Sequence, residues 1–289
     1  MARTQTDQLL VQRNVILGLL LALAAASWAL LVWQGSGDEM DMPMASPTMG
    51  MRAPLFLTIW VVMMVAMMFP TAASMILTFH KVQASKRQRG EAFVATWVFV
   101  AAYLLVWTLS GIAAYAGALA AETLAARTSL SPAGAARIGG AILIVAGVYQ
   151  LTPFKDRCLS KCRTPISFIM TSWHDGVAGA LRMGLVHGFY CLGCCWLLFV
   201  ILFPLGIMNI AAMAVITLVV FAEKTAPWGR SVARTTAAAL VAYGAMVLVV
   251  PRVLPTFVAS GGMPMTAPPA PMDMQNMPMT GSTAAPARQ

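Results

Sequence analysis

The residues best suited to chemistry lie in one apolar stretch, residues 187–196, which reads HGFYCLGCCW. In a helix, which turns by about 100° per residue, one face of this stretch presents an imidazole and three thiols. These are His187, Cys191, Cys194 and Cys195, with Met183 one turn earlier on the same side. Such ligands suit Cu(I), and Zn stays open as another metal. Because one helix rarely supplies a full coordination sphere, a metal site here needs ligands from a neighbour. The alternative is that these cysteines are small apolar residues of a membrane helix.

A second apolar stretch offers thioether ligands. Two pairs of methionines spaced four residues apart precede the helix-kinking Pro70. They are Met63, Met64, Met67 and Met68. Thioether sulfur is a soft, neutral ligand that favours Cu(I). Methionine also fills gaps in apolar cores, so packing is the competing interpretation.

Two further cysteines, Cys158 and Cys162, lie in a predicted inner loop. Lys155, Arg157, Lys161 and Arg163 flank them, and these cations are expected to lower the pKa of both thiols. Such a pair suits acceptance or release of a metal at the inner face. The alternative is a basic loop that fixes topology and happens to contain two cysteines.

Methionine is also concentrated in two segments without apolar periodicity. Residues 35–53 and 255–289 are rich in Pro, Ser, Thr, Gly and Ala, and together they hold half of the 22 methionines. The M-x-M and M-x-x-M spacings let neighbouring sulfurs reach one Cu(I) ion. The members taken as ligands are Met40, Met42 and Met44 in the first segment and Met272, Met274, Met277 and Met279 in the second. The alternative is compositional drift in a linker.

The composition places these residues in a membrane protein. The 289 residues are 59% hydrophobic and only 10% charged, too apolar for a water-facing surface. Helices are the only non-barrel way to cross lipid, so the chain is predicted to be an all-α, polytopic transmembrane helix bundle with about seven spans. The spans run roughly over residues 15–33, 55–79, 92–121, 138–151, 183–203, 209–221 and 235–254. The fourth and sixth are short, so their ends are left open. The first is interpreted as an uncleaved anchor.

The distribution of Lys and Arg predicts the orientation. With the N-terminus inside, 14 of the 19 Lys and Arg residues fall on the inner side and the C-terminus lies outside. The net charge of +9 is therefore explained by the membrane topology and does not indicate a nucleic-acid partner. The predicted parts are a cytoplasmic N-terminus (1–14), a first transmembrane helix (15–34), a Met-rich periplasmic loop (35–53), a six-helix membrane core with the Cys/His/Met site (54–254) and a disordered Met-rich periplasmic tail (255–289). The expected location is a bacterial inner membrane.

Several spaced motifs in residues 55–224 resemble one bacterial family. The first is Trp60-x-x-Met63-Met64-x-x-Met67-Met68-x-Pro70. The second is Gly147-x-Tyr149-Gln150-x-Thr152-Pro153-x-Lys155-x-x-Cys158-x-x-x-Cys162-Arg163-x-Pro165. The third is Cys191-Leu192-Gly193-Cys194-Cys195-Trp196, followed by Met208-Asn209 and Glu223-Lys224. The chain is thus similar to the predicted metal-binding integral membrane proteins, some of which are labelled copper chaperones. The resemblance implies a membrane protein that binds metal, with no established reaction.

These observations predict a non-enzymatic Cu(I)-binding membrane protein for copper acquisition, transport or delivery to a cuproenzyme. Its expected partners are lipid and a periplasmic copper donor or acceptor protein. One alternative is a membrane thiol-disulfide oxidoreductase that uses Cys191 and Cys194, with Cys158 and Cys162 as a relay pair. Another is an accessory subunit of a membrane complex that docks through the G-x-x-x-G face of Gly184 and Gly188. No nucleotide-binding motif accompanies these features.

Overall fold

The structure is a computed structural model that describes residues 2–36, 47–48 and 50–255. Every regular element in these ranges is helical. The elements are α1 (Ala2–Ser36), α2 (Ala53–Gln88), α3 (Thr96–Thr128), α4 (Pro132–Tyr149), α5 (Pro153–Arg163), α6 (Pro165–Ser172), α7 (Gly176–Val200), α8 (Leu202–Leu205), α9 (Ile210–Thr225), α10 (Gly229–Val249) and a 3-10 turn (Pro251–Val253). The all-helical prediction is confirmed.

Local sequence accounts for several helix starts. The Ser131 hydroxyl accepts a hydrogen bond from the Gly134 backbone N–H at the start of α4, and Asn209 accepts one from Ala212 at the start of α9. Each bond satisfies a backbone donor that the first helical turn leaves unpaired. A proline also stands at the first helical positions of α2, α4, α5 and α6, where its missing N–H costs nothing.

Six helical segments in the described part of the chain are long and apolar enough to cross a membrane. They are 8–35, 53–88, 96–128, 132–149, 176–205 and 229–249. The sixth predicted span instead forms α9, which has only 16 residues. At about 1.5 Å per residue it is roughly 24 Å long, short of the roughly 30 Å hydrocarbon layer. The count of seven spans and the orientation therefore stay predictions.

The connection between α4 and α7 differs from the predicted loop. It forms two short helices, α5 and α6, which pack against α7 and α2 respectively. The predicted fourth span also ends too late, because α4 stops at Tyr149 and Thr152 already caps α5 by accepting from the Lys155 N–H. The charged residues of α5 break the apolar pattern by which helices are located, and α6 is too short, at 8 residues, to show a clear pattern.

The G-x-x-x-G motif packs inside the bundle. A Cβ added at Gly184 would lie 2.5 Å from the Phe99 carbonyl oxygen of α3, and one at Gly188 would lie 2.8 Å from Val106. Both glycines therefore allow α3 and α7 to approach closely. The hypothesis that this face docks a partner subunit is wrong, because α3 already covers it.

Candidate metal centre

The candidate site centres on Cys191, in the C-terminal half of α7. Its sulfur lies 3.0 Å from the Lys224 Nζ of α9 and 3.2 Å from the Tyr103 hydroxyl of α3. The same ammonium donates to the Thr71 hydroxyl of α2 at 3.2 Å. All four side chains are buried. Four helices thus meet at one thiol.

Two more thiols on α7 and one on α5 surround it. Cys194 and Cys195 donate to the Cys191 carbonyl oxygen at 3.1 and 2.9 Å. The Cys162 side chain of α5 lies beside those of Cys191 and Cys194. These neighbouring thiols, together with burial, hold the pKa of Cys162 well above its usual range. The ligand that the sequence analysis required from a neighbouring element is therefore available from α5.

Cys158, the other cysteine of α5, faces a different part of α7. A Cβ added at Gly193 would lie 2.9 Å from the Cys158 sulfur, so the glycine lets this thiol approach the helix. Burial raises the pKa of Cys158. The expectation that basic neighbours lower the pKa of both thiols is wrong. Those neighbours are committed elsewhere or exposed: Lys155 is paired with Glu223, and the Arg157 side chain is exposed.

His187 lies one turn from Cys191 in an aromatic cage. Its ring stacks on Phe99 and Tyr103, with centroids 5.9 and 5.6 Å apart, and Phe168 of α6 meets it edge-on. His187 is 2% exposed, and neither ring nitrogen has a hydrogen-bond partner among the described residues. Buried polar atoms are nearly always hydrogen-bonded, so a buried imidazole with both nitrogens available is a candidate ligand. His187 can therefore act as a ligand without breaking an existing bond.

The predicted thioether ligands of α2 and Met183 of α7 are all buried. The four on α2 are Met63, Met64, Met67 and Met68. The Met68 sulfur accepts a long hydrogen bond from Thr71, at 3.9 Å, and Thr71 in turn binds Lys224. Met68 is thus linked to Cys191 through two side chains. No described contact brings Met183 to the thiols, and the outer methionines taken as ligands, from Met40 to Met44 and from Met272 to Met279, lie outside the described residues.

A buried ion pair adjoins the thiols. Lys155 of α5 and Glu223 of α9 approach to 2.7 Å, and their side chains are 1% and 2% exposed. Arg163 donates to the backbone carbonyls of Glu223 and Ala226 at 3.2 and 2.7 Å. The sequence left open whether Glu223 and Lys224 are interfacial. Both are buried and so belong to the interior, and the contacts of Glu223 with Lys155 and Arg163 fix α5, the element that carries Cys162, against α9.

Among the described residues, no three His, Cys, Asp or Glu side chains are already arranged to hold a metal ion. Cys194 and Cys195 point back to a backbone carbonyl, and Lys224 lies beside Cys191. The arrangement does supply thiols from two helices, a free imidazole and nearby thioethers. Soft ligands of this kind select Cu(I) over harder ions. Tyr103 and Thr71, which sequence reasoning missed, are isolated polar residues of apolar helices, and that isolation was their only signal.

The fold and the site define a class: a helical membrane protein whose core holds a cluster of thiols, thioethers and one histidine. A family model supports a narrower assignment, because the model of the family described as "PpoB2: Copper chaperone" matches residues 57–247. The chain belongs to this copper chaperone family. The matched range contains every residue of the candidate centre. No curated protein matches the chain, and no solved structure does so either.

Proposed function

We propose that the protein captures Cu(I) on its outer methionine tracts and passes it to the thiol cluster within the bundle. From there copper is delivered to a cuproenzyme under assembly or moved to the other side of the membrane. The family's description as copper chaperones favours delivery. The charge bias supports a bacterial inner membrane with the methionine tracts outside.

The convergence of Cys162 with Cys191 and Cys194 carries this proposal. These thiols come from α5 and α7, are buried, and lie beside one another. Transfer from thioethers to thiolates runs from weaker to stronger soft ligands, which gives a direction without an energy source. Two thiolates around Cu(I) leave a net negative charge in a buried place. The Lys224 ammonium, 3.0 Å from the Cys191 sulfur, compensates that charge.

Cu(I) stoichiometry and affinity test the proposal. The purified protein is titrated against a Cu(I) chelator beside C191S/C194S/C195S and beside a variant whose outer tract methionines are serine. We expect the cysteine variant to lose a tight class of sites and the tract variant to lose a weaker class. Absence of copper binding in all three proteins would overturn the proposal.

The same thiol contacts favour a second candidate function, a thiol-disulfide oxidoreductase. Cys162 lies beside both Cys191 and Cys194, so thiol-disulfide exchange can pass a pair of electrons from one dithiol to a neighbouring disulfide. All five cysteines are free thiols in the structure. Alkylation trapping decides between the two: cycling between dithiol and disulfide without metal supports the oxidoreductase, and thiols that copper alone protects support the chaperone.

A further inference from the structure

A separate group of methionines meets at the other end of the bundle, where α2 begins. Met51, Met63 and Met208 line a cavity of about 10 Å³ together with the rings of Phe56 and Trp60. That volume is about what one water molecule needs, so it admits a single small ion. The distribution of Lys and Arg predicts that this end of the bundle lies on the outer side of the membrane.

Three different elements bring the methionines together. Met51 precedes α2 and is held at both backbone groups: its N–H donates to the Thr48 carbonyl at 3.1 Å, and its carbonyl accepts from the Tyr115 hydroxyl at 3.3 Å. Met63 lies in α2 and is 1% exposed. Met208 lies in the turn before α9. Long-range packing, and not helical periodicity, therefore creates the group.

The chemistry of the lining is uniform. Among the described side chains that line the cavity, the heteroatoms are the three sulfurs and the Trp60 nitrogen. That nitrogen already donates to the Trp107 carbonyl at 3.0 Å. Three neutral thioethers in a hydrocarbon wall cannot balance a divalent charge, but they suit a soft monovalent ion.

We propose that Met51, Met63 and Met208 form an entry site for Cu(I) between the outer tract and the thiol cluster. This inference rests on the proposed function and adds the first site that Cu(I) would meet within the helix bundle. Met51 is the last methionine of the tract, so the site is continuous with it. Met63 and Thr71 are eight residues apart on α2, about 12 Å along the helix, and Thr71 contacts the Lys224 that binds Cys191. Met64, Met67 and Met68 lie between them along α2.

Silver titration tests the entry site, because Ag(I) has the same soft preference as Cu(I) and does not change oxidation state. The background is the full chain with all five cysteines and the other outer methionines changed to serine. Those methionines are Met40, Met42, Met44, Met49, Met263, Met265, Met272, Met274, Met277 and Met279. We expect this protein to bind one equivalent of Ag(I), with sulfur neighbours in X-ray absorption spectra.

A matched pair of variants tests whether Met51, Met63 and Met208 bind that one equivalent of Ag(I). M51L/M63L/M208L should lose it, whereas M75L/M213L should keep it, since Met75 and Met213 are also buried but do not line the cavity. Leucine conserves volume, so both variants are expected to fold. Equal binding by the two variants, or no silver in the background protein, overturns the entry site.

A second experiment distinguishes failure of the entry site from failure of the proposed function. With the cysteines restored, M51L/M63L/M208L should still bind Cu(I) tightly at equilibrium but load it at least about tenfold more slowly, because the thiol ligands remain while the entry ligands are lost. An unchanged loading rate with intact tight binding refutes the entry site alone. If tight Cu(I) binding is lost only when the cysteines are removed, the proposed thiol centre is supported.

Discussion

The indole N–H of Trp28 in α1 donates a hydrogen bond to the carbonyl oxygen of Ala66 in α2, at 3.1 Å. Ala66 lies four residues before Pro70, so its carbonyl would ordinarily accept from the backbone N–H that proline lacks. Lipid offers no replacement donor. A side chain of the first helix thus satisfies the backbone group that the proline of the second helix frees, and α2 continues as one helix to Gln88.

This relationship predicts non-additive mutations. Trp28→Phe should destabilise the protein by about 1–3 kcal/mol, since it leaves the Ala66 carbonyl unpaired. In a Pro70→Ala background the same change should cost clearly less, because the introduced alanine supplies the missing N–H. The free energies of unfolding of the four proteins in detergent form the cycle. Equal costs of Trp28→Phe in both backgrounds would show that the hydrogen bond does not matter.

Helix approach through Gly184 gives a second prediction. Gly184→Ala should destabilise the protein by about 1–3 kcal/mol, because the new methyl meets the Phe99 carbonyl of α3. Gly117→Ala is the control, since a Cβ at Gly117 has no neighbour within 4 Å. It should be neutral or stabilising by about 0.5–1 kcal/mol. Thermal unfolding in micelles measures both, and a harmless Gly184→Ala would contradict the close contact.

The Lys155–Glu223 pair predicts an asymmetry between single and double changes. Glu223→Gln leaves a buried ammonium without its counter-ion and should cost about 3–5 kcal/mol. The double variant K155M/E223L removes both charges and should recover most of that loss. Denaturant unfolding of the two proteins is the comparison. If the double variant is as unstable as the single one, the unpaired charge of Lys155 is not the cause of the loss.

The two cysteines of α5 should differ in copper affinity. Cys162→Ser should weaken Cu(I) binding by at least about tenfold, because Cys162 contacts the thiols of Cys191 and Cys194. Cys158→Ser should have a smaller effect, since Cys158 lies against Gly193. Chelator competition gives both affinities. A larger loss for Cys158→Ser would require a different ligand set.

The pH dependence of stability should reveal the contact between Asp175 and Lys86. The ammonium of Lys86 and the indole N–H of Trp173 bond to the Asp175 carboxylate and lower its pKa below the ordinary value of 3.8. A lowered folded pKa stabilises the protein above pH 3.8 and loses that effect as the pH falls through the folded pKa. The wild-type protein should therefore have a higher melting temperature than Asp175→Asn at neutral pH. The two melting temperatures should converge as the pH falls through the folded pKa of Asp175. A difference that persists in acid would point to another cause.

Much of this protein follows from local pattern. The apolar segments locate the helices, because a span must be long and continuous in lipid. The common face of His187 and Cys191 follows from helical periodicity, as does the position of Pro70. Pattern failed at α5, where charges interrupt the apolar signal, and at α6, which has only 8 residues. It also failed at the Gly184 face, where it could not tell an internal contact from an external one.

By itself the sequence determined an all-helical membrane chain with soft metal ligands, since composition and periodicity are local properties. Tertiary packing is what brings Cys162 beside Cys191, Lys224 beside both Cys191 and Thr71, and Met51, Met63 and Met208 to one cavity. Lys224 and Thr71 are 153 residues apart in the chain. The lateral order and depth of the helices set such contacts, and these depend on how whole helix surfaces pack together.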